Sequence, residues 1–408
     1  MKPLHFSIFT ITLVLLFAGQ RVVGQSIPLA SPKQVGMDAK QLLYADSALM
    51  KAIDNHEIPG AVLAVVHKGK MAYLKAYGNK RVYPDTVKMS TNTIFDMASC
   101  SKSMSTAVCT MILVDRGLIR LQDRVDLYIP GFEGWTGTDG EKKSIRIIDL
   151  LTHTSGLPAY APVGELGKKY GAPNPDGLIT YISTCKRMYK PESTFQYSCL
   201  NFITLQRIIE NVSRLSLRDF AKINIFDKLG MTNTDYVPLT HGFKQDAIAP
   251  TEIQQDGSVL CGIVHDPLAR IMNGGISGNA GVFSNAEDIA ILTATLLNGG
   301  KHNDQRILSP LGVKAMLSVP RNFEEFGRTL GWDNYSPYAS NVGDLLSHSA
   351  VGHTGYTGTS IVVDPNNDTA IILLINAVHP KDEHSVVRLR SLVSNAVASS
   401  LNVEKYKK

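Results

Sequence analysis

The pattern of apolar positions predicts a helix followed by a hairpin near the start of the chain. Apolar residues recur at near-helical spacing over residues 37–55, which is typical of an amphipathic helix. Residues 60–67 are rich in β-branched and apolar side chains, the chain can turn at Gly69, and residues 71–77 are strand-forming again. We therefore expect two antiparallel strands directly after the first helix.

Helical patterns dominate the middle of the chain, and strands return near its end. Residues 118–268 are richer in Pro, Gly and short helical stretches, such as residues 199–212. Residues 359–363 and 369–374 flank a turn and predict a second hairpin. A last amphipathic helix is predicted over residues 385–401.

Together these elements predict an α/β fold of the α+β type. We expect an antiparallel sheet flanked by the N- and C-terminal helices, an inserted and mostly helical lobe, and the functional site between the lobes. The α/β lobe would comprise residues 25–117 and 269–408, and the helical lobe residues 118–268. Both lobes would form a single domain over residues 25–408, because domains with two lobes often reach this size.

Composition and charge exclude several classes of function. Hydrophobic residues make up 44% and charged residues 19% of the chain, as in ordinary packed proteins. The formal charge of +5 is spread along the sequence, so nucleic-acid binding gains no support. The five cysteines have irregular spacings and no CxxC pair, so we expect no metal site. Disulfides are compatible with the sequence but are not required for a chain of this size.

Residues 1–24 resemble a secretory signal peptide. A weakly basic start precedes an apolar stretch over residues 6–18, and small residues follow. A retained membrane anchor is the alternative interpretation. The length of the apolar stretch argues against it, because the stretch is shorter than the ~20 residues needed to cross a bilayer and ends before Arg21. No cysteine precedes Cys100. We expect an exported protein, periplasmic or secreted, that is not a lipoprotein and has no membrane span after signal removal.

Ser99 and Lys102 form a candidate pair of nucleophile and base. They lie three positions apart where a strand-like run, residues 93–97, meets a predicted helix over residues 101–116. Residues at this spacing share one helical face, so the amine can reach the hydroxyl. The helix N-terminus also offers free N–H groups to a developing anion. Lys102 can act as a base near neutral pH only if burial or a neighbouring cation lowers its pKa.

The spacing of this pair also has a purely structural interpretation. A helix cap followed by a solvated lysine would leave the same pattern. Residues 183–186 contain a second S-x-x-K pattern, without the transition from strand to helix. Further motifs must therefore decide between the two interpretations.

Three motifs in a fixed order resemble the penicillin-recognising serine hydrolases, which include class C β-lactamases, D-alanyl-D-alanine carboxypeptidases and related esterases. The motifs are S-x-x-K at residues 99–102, a Y-x-N-like element at residues 197–199, and H-T-G at residues 353–355. Several connecting stretches resemble the same family, at residues 95–98, 150–157, 278–284 and 352–359. The resemblance covers about residues 58–380, nearly all of the chain after the leader, and this joint match favours the catalytic interpretation of Ser99 over a helix cap.

The resemblance implies that Ser99 attacks a carbonyl group while Lys102 and Tyr197 manage the proton. A phenol beside an ammonium can be held partly ionised, and a phenolate is a competent base. The alternative for Tyr197 is an ordinary buried aromatic residue.

The resemblance also assigns substrate-binding roles on the H-T-G strand. The backbone N–H groups of Ser99 and Tyr356 would form an oxyanion hole, in which one donor is typically worth about 3 kcal/mol. His353 and Thr354, followed by Gly355, would hold the carboxylate or carbonyl end of the substrate. The alternative for His353 is a surface histidine on an edge strand.

Two positions depart from the family pattern. Cys199 occupies the place of the asparagine that offers the substrate's amide both a donor and an acceptor, and a thiol is a weak version of each. Asn201 does not restore the motif, because the apolar pattern aligns without a gap when Cys199 holds that place. His353 replaces a lysine, and a neutral imidazole attracts an anionic substrate less strongly than an ammonium does.

The sequence therefore leaves three hypotheses for function. The first is an exported hydrolase of D-amino-acid peptides or related amides, with peptidoglycan-derived peptides as candidate substrates. The second is a carboxylesterase of the same fold, acting on small molecules. The third is a non-catalytic wall-binding or receptor protein. Acyl-transfer chemistry through a serine needs no metal or other cofactor, so we expect none.

Overall fold

The computed structural model describes residues 26–402, and the predicted signal peptide lies outside the described residues. Within residues 26–402, no helix combines the length and the apolar character that a membrane crossing requires.

The described chain forms one main antiparallel sheet and several short strand pairs. In chain order the strands are β1 (Gly60–His67), β2 (Lys70–Arg81), β3 (Val87–Lys88), β4 (Phe95–Asp96), β5 (Trp135–Thr136), β6 (Lys142–Lys143), β7 (Asp235–Tyr236), β8 (Val282–Ser284), β9 (Lys301–His302), β10 (Gln305–Arg306), β11 (Val351–Thr354), β12 (Ser360–Asp364) and β13 (Thr369–Ile375). The main sheet has the order β11-β12-β13-β1-β2-β3. Strand β11 is therefore an edge strand, and the two hairpins meet where β13 pairs with β1.

Helices occupy both ends of the described chain and most of its middle. They are α1 (Ala39–Asp54), α2 (Val108–Asp115), α3 (Ile147–Leu151), α4 (Val163–Tyr170), α5 (Pro175–Thr184), α6 (Cys199–Ser213), α7 (Leu217–Ala221), α8 (Asp227–Leu229), α9 (Ala286–Leu297), α10 (Pro310–Leu317) and α11 (Val387–Ser399). Helices α3 to α8 lie within the predicted helical lobe. The predicted class, a mixed fold with an antiparallel sheet flanked by terminal helices, is confirmed.

The ends of the first helix follow from local side-chain chemistry. Asp38 accepts a hydrogen bond from the backbone N–H of Lys40 at 2.8 Å and so caps α1. The helix therefore begins at Ala39, two residues after the predicted start at residue 37. The predicted hairpin is present as well, but β2 continues beyond residue 77 to Arg81, where the short strand β3 pairs with it.

Strand β1 is buried on both faces, so the sheet separates two apolar layers. Ala61, Leu63 and Val65 pack into a cluster that includes residues of α1 and α11. The alternate residues Val62 and Ala64 pack into the larger cluster, which includes residues of helices α2, α6 and α9. Because successive side chains of a strand point to opposite faces, β1 contributes core residues to both layers. The site described below lies on the side of the larger cluster.

Candidate active site

The backbone turns sharply immediately before Ser99. Strand β4 ends at Asp96, and Ala98 adopts a left-handed conformation with φ of 44°, which non-glycine residues rarely do. The carboxylate of Asp96 accepts a hydrogen bond from the N–H of Ala98 at 2.8 Å and holds this turn. Ser99 is thereby left partly exposed at the start of a helix. The predicted transition from strand to helix is present.

Lys102 lies beneath Ser99 and is completely buried. Its Nζ donates hydrogen bonds to Ser99 Oγ at 3.0 Å and to the backbone oxygen of Asn279 at 2.8 Å. It also lies 3.7 Å from Cys199 Sγ. The helix predicted over residues 101–116 contains a π-helical segment, Lys102–Ala107, before α2. Such segments are frequent at functional sites, and the sequence pattern does not reveal this one.

Tyr197 completes the group around Lys102. The centre of its ring lies 4.9 Å from Lys102 Nζ, and the same ring packs on His153 with centroids 4.5 Å apart. Within residues 26–402 the buried Tyr197 hydroxyl has no hydrogen-bond partner of ordinary geometry, although Lys102 and Ser99 are close enough to influence its pKa. One hydroxyl, one amine and one phenol therefore meet at one place, as the sequence motifs require.

The protonation of this group differs from the expected condition. Burial is the largest influence on Lys102 and lowers its pKa, but the net pKa is raised because Asp266, and Cys199 and Tyr197 once they lose their protons, place negative charge beside the ammonium. Burial also raises the pKa of Tyr197, and the lowering effect of Lys102 is smaller. The expectation of a depressed lysine pKa and a partly ionised phenol is therefore wrong for the free protein, in which both groups keep their protons at neutral pH.

The loop that follows the edge strand β11 is tied directly to the turn that carries Ser99. Thr357 Oγ1 donates to the backbone oxygen of Asp96 at 2.8 Å, and Thr359 Oγ1 donates to that of Met97 at 3.1 Å. A side chain on Gly355 would meet the same oxygen of Met97 at 2.7 Å. This close approach places the H-T-G segment beside the nucleophile.

His353 lies on the edge strand but is only 2% exposed. The alternative of a surface histidine is therefore wrong, because the ring is enclosed by the site. Its Nδ1 donates to the backbone oxygen of Thr354 at 2.9 Å, which leaves Nε2 as an acceptor without a partner in the described chain. Burial, the largest influence, lowers the pKa of His353 to about 3, so the ring is neutral.

Tyr356 presents its backbone to the site and its side chain to the surface. Its N–H and that of Ser99 donate no hydrogen bond to another residue of 26–402, which leaves both available for a substrate oxygen. The Tyr356 side chain is 67% exposed and donates to Asp382 at 2.6 Å. The ring also stacks on His265, with centroids 5.7 Å apart.

The structure separates the roles of Cys199 and Asn201. Burial raises the pKa of Cys199, which stays a neutral thiol against Lys102. Asn201 points elsewhere: its side chain accepts from Ser155 Oγ at 2.5 Å and lies 3.0 Å from His153 Nδ1. This contact supports the alignment that places Cys199, not Asn201, in the third position of the motif. All five cysteines are free in the described chain.

Two supporting residues received no role from the sequence. The backbone oxygen of Asn279 accepts the hydrogen bond from Lys102 Nζ, and the side chain of Asn279 donates to Asp266 Oδ1 at 3.1 Å. Asp266 also accepts from Tyr160 at 3.0 Å and from the N–H of Ala269 at 2.8 Å. Asn279 lies in a stretch that resembles the family and was identifiable from it, whereas no sequence pattern marks Asp266.

These groups border a cleft of about 450 Å³. Lys102 and Cys199 lie below the cleft, and the remaining sequence-predicted residues line it: Ser99, Tyr197, His353, Thr354, Gly355 and Tyr356. A partly exposed serine above a buried lysine, next to two free backbone donors, can carry out acyl transfer.

Comparison with known sequences identifies the family. Residues 45–394 match the Beta-lactamase family. A putative D-alanyl-D-alanine carboxypeptidase of Escherichia coli (strain K12) is 33% identical over 374 residues, which cover 86% of this chain and 85% of that protein. A protein of the same description from Salmonella typhimurium (strain LT2) is 32% identical over 373 residues and covers 86% of each chain.

Solved structures agree on the fold. The structure of EstCE1, described as a hydrolase with promiscuous acyltransferase activity, superposes with a TM-score of 0.70 at 22% identity, covering 88% of this chain and 99% of its own. The octameric penicillin-binding protein homologue from Pyrococcus abyssi has a TM-score of 0.67 at 21% identity, covering 90% and 79%. At this level of identity the two structures show the fold alone.

Proposed function

Because the chain belongs to the Beta-lactamase family and is a serine hydrolase, we propose that it forms an acyl-enzyme on Ser99 and hydrolyses amide bonds in D-amino-acid peptides of the cell-wall type. The observation that carries this proposal is the 3.0 Å contact between Ser99 Oγ and the buried Lys102 Nζ, next to the edge strand. The descriptions of the curated relatives support the substrate class.

In the acylation step, Ser99 Oγ attacks the carbonyl carbon and gives its proton to the pair formed by Lys102 and Tyr197. Because both members of the pair are protonated in the free protein at neutral pH, the pair must lose one proton before it can accept another. The carbonyl oxygen becomes negative, and the N–H groups of Ser99 and Tyr356 stabilise it. The pair then protonates the leaving nitrogen as the carbon–nitrogen bond breaks.

Deacylation repeats these transfers with water as the nucleophile. Water gives one proton to the same pair, and its oxygen adds to the acyl carbon. The bond to Ser99 Oγ breaks, and the pair returns the proton to that oxygen. The acid product leaves, and the protein regains its starting state.

Two probes of different chemistry test the proposal. A fluorescent penicillin and a fluorophosphonate are incubated with the protein, and the adducts are located by mass spectrometry. We expect both probes to label Ser99 and neither to label the Ser99→Ala variant, because only the serine hydroxyl can form the acyl or phosphonyl bond. Labelling of Ser99→Ala at the same rate would contradict the assignment of the nucleophile.

A carboxylesterase is the second candidate, and Cys199 is the observation that favours it. The thiol lies against Lys102 where the family has an amide side chain, so the site has lost a group suited to recognising a substrate amide. An ester substrate has no amide N–H, so its binding does not require a side chain that recognises one. Labelling by the phosphonate alone, with turnover of short acyl esters but not of peptides, would favour this candidate.

The Cys199→Asn variant measures the contribution of this position directly. We expect it to raise activity on amide substrates relative to esters, because an asparagine offers both a donor and an acceptor to the amide. Cys199→Ser is the matched control, since it changes the polarity without supplying an amide. An unchanged ratio of amide to ester turnover in Cys199→Asn would refute this explanation.

We also propose that the protein is exported after removal of residues 1–24. The proposal rests on the apolar segment over residues 6–18 and its flanking residues. N-terminal sequencing of the protein from cell fractions tests it: we expect a first residue near position 25 in the periplasmic or secreted fraction. An intact N-terminus in the cytoplasmic fraction would contradict export.

A further inference from the structure

His153 is a fully buried side chain to which neither the sequence motifs nor the mechanism above assigns a role. It follows helix α3 and Thr152, and its backbone adopts a left-handed conformation with φ of 58°. A left-handed residue commonly ends a helix, but glycine or asparagine is the usual choice because a larger side chain is strained there. The helix end therefore does not explain why this position holds a histidine.

His153 contacts three consecutive residues, of which Tyr197 is the middle one. Its backbone oxygen accepts a hydrogen bond from the N–H of Gln196 at 3.0 Å, and its Nδ1 accepts one from the N–H of Ser198 at 3.1 Å. Its ring packs on the ring of Tyr197, with centroids 4.5 Å apart and planes inclined by 34°. His153 thus holds the Tyr197 ring and the peptide groups on both sides of it.

The protonation state of the His153 ring follows from its partners. Besides the N–H of Ser198, the side-chain nitrogen of Asn201 lies 3.0 Å from Nδ1. An amide nitrogen can donate but not accept, so Nδ1 carries a lone pair and the proton of the ring lies on Nε2. Burial, the largest influence, holds the pKa of His153 well below its usual value, and the charges of Arg328 and Lys102 lower it further. His153 is therefore uncharged at neutral pH, and Nδ1 stays available as an acceptor.

The Tyr197 phenol depends on these contacts for its position. Within residues 26–402 its buried hydroxyl has no hydrogen-bond partner of ordinary geometry, although the ring lies 4.9 Å from Lys102 Nζ. Residues 185–198, which connect α5 to α6, form neither helix nor strand. The ring of Tyr338 also packs on Tyr197, with centroids 5.3 Å apart, but Tyr338 is 50% exposed. The fully buried contacts of the phenol ring and its backbone are therefore those with His153.

We propose that His153 is a positioning residue, which holds the Tyr197 phenol where it can exchange protons with Lys102 and Ser99. The proposal explains the histidine at this left-handed position, because glycine would lack both the acceptor and the ring, and asparagine would supply the acceptor alone. A displacement of the phenol by ~1 Å can lower the rate of catalysis ~100-fold. This inference deepens the proposed function and rests on acyl transfer by Ser99.

Two substitutions separate the hydrogen-bond acceptor from the helix end. Glycine and asparagine both adopt the left-handed conformation, but only asparagine carries an acceptor close to the position of Nδ1. In His153→Gly we expect kcat for 4-nitrophenyl butyrate and the rate of Ser99 labelling by the fluorophosphonate to fall at least about tenfold, with KM changed by less than about twofold. His153→Asn should be at least about threefold faster than His153→Gly, because it keeps a partner for the N–H of Ser198.

The loss must act through Tyr197 if His153 positions that residue. In Tyr197→Phe, which has no hydroxyl, we expect the further substitution His153→Gly to lower the labelling rate by less than about twofold, because the group that His153 holds is already absent. The matched control is His67→Gly. His67 is also a buried histidine, lies at the end of β1 with Nδ1 2.8 Å from Thr369 Oγ1, and does not line the cleft. It should keep kcat within about twofold well below its melting temperature.

Three outcomes would overturn the proposal. The first is a His153→Gly variant as active as the unaltered protein, since His153 would then only end helix α3. The second is an equal loss in His153→Gly and His153→Asn, since the acceptor would then have no role. The third is the same further loss with and without the Tyr197 hydroxyl. Failure of the proposed function is distinguished from all three, because it would appear as phosphonate labelling that survives in Ser99→Ala.

Discussion

At the scale of single residues, the group around Lys102 acts as one titrating unit. The lysine has no exposure to water, and its neighbours Tyr197 and Cys199 are a phenol and a thiol that burial keeps neutral. Loss of a proton from the phenol or the thiol leaves a negative charge beside the ammonium, which therefore holds its own proton more strongly. The apparent pKa values consequently belong to the group and not to one residue.

This coupling predicts an activity that rises with pH above neutrality. The raised pKa values of Lys102 and Tyr197 mean that the pair loses a proton only as the pH increases, and only the deprotonated pair can accept the proton of Ser99. We expect kcat/KM to increase from about pH 6 to about pH 9, measured with a neutral substrate. A profile that is flat or decreases over this range would show that a different group accepts the proton.

Asp266 should influence the pH at which kcat/KM rises. Its carboxylate holds the side chain of Asn279, whose backbone oxygen receives Lys102, and its negative charge raises the pKa of Lys102. In Asp266→Asn we expect the pH profile of kcat/KM to move to lower pH, because the ammonium loses an anion that stabilises it. Asp382→Asn is the control, since Asp382 lines the cleft but binds Tyr356 instead. Equal profiles for Asp266→Asn and the unaltered protein would exclude this positioning role.

At the scale of secondary-structure elements, the site depends on the contacts between the turn before Ser99 and the loop that follows the edge strand β11. Thr357 and Thr359 bridge the two segments, and Gly355 permits their contact because it has no side chain. The strand and the helix start come from opposite ends of the chain. Their relative position therefore depends on a few contacts and not on chain continuity.

Replacing Gly355 by alanine should separate these two elements. The added Cβ would lie 2.1 Å from Thr359 Oγ1 and 2.7 Å from the oxygen of Met97, so the segments must move apart. We expect kcat to fall at least ~100-fold, as when an oxyanion donor is displaced. Gly164→Ala is the matched control, because a Cβ there meets nothing within 4 Å and alanine favours the helix. Activity assays and thermal melting compare the two, and normal activity of Gly355→Ala would disprove this account.

Helices and strands with a clear pattern of apolar residues were predictable from the sequence, whereas contacts between distant elements were not. Runs of β-branched and apolar residues on either side of a turn defined both hairpins, and the order of the motifs predicted that Ser99 and Tyr197 share one site. The burial of His353 and the charge of Lys102 depend on what the fold packs around them, which a local pattern does not contain.

At the scale of the whole molecule, the sheet separates the reacting groups from helix α1, whereas the start of helix α11 reaches the cleft. The outer layer contains buried residues of α1 and α11, such as Leu49 and Val393. The opposite layer contains Phe202 of α6, whose ring lies 5.2 Å from the ring of His153 and 5.9 Å from Lys102 Nζ. Both layers stabilise the fold, but only the second touches the residues that move protons.

This arrangement predicts that two core substitutions with similar effects on stability will differ in their effect on activity. Leu49 and Phe202 are both fully buried, so truncation to alanine should lower the free energy of unfolding by roughly 2–5 kcal/mol in either case. Well below the melting temperature, Leu49→Ala should keep kcat/KM within about twofold, because the sheet lies between the cavity and the site. Phe202→Ala should lose at least about tenfold, since the aromatic support of Lys102 and His153 is gone. Urea unfolding and kinetics on the same samples test this, and equal losses of activity would mean that the sheet transmits packing defects from one layer to the other.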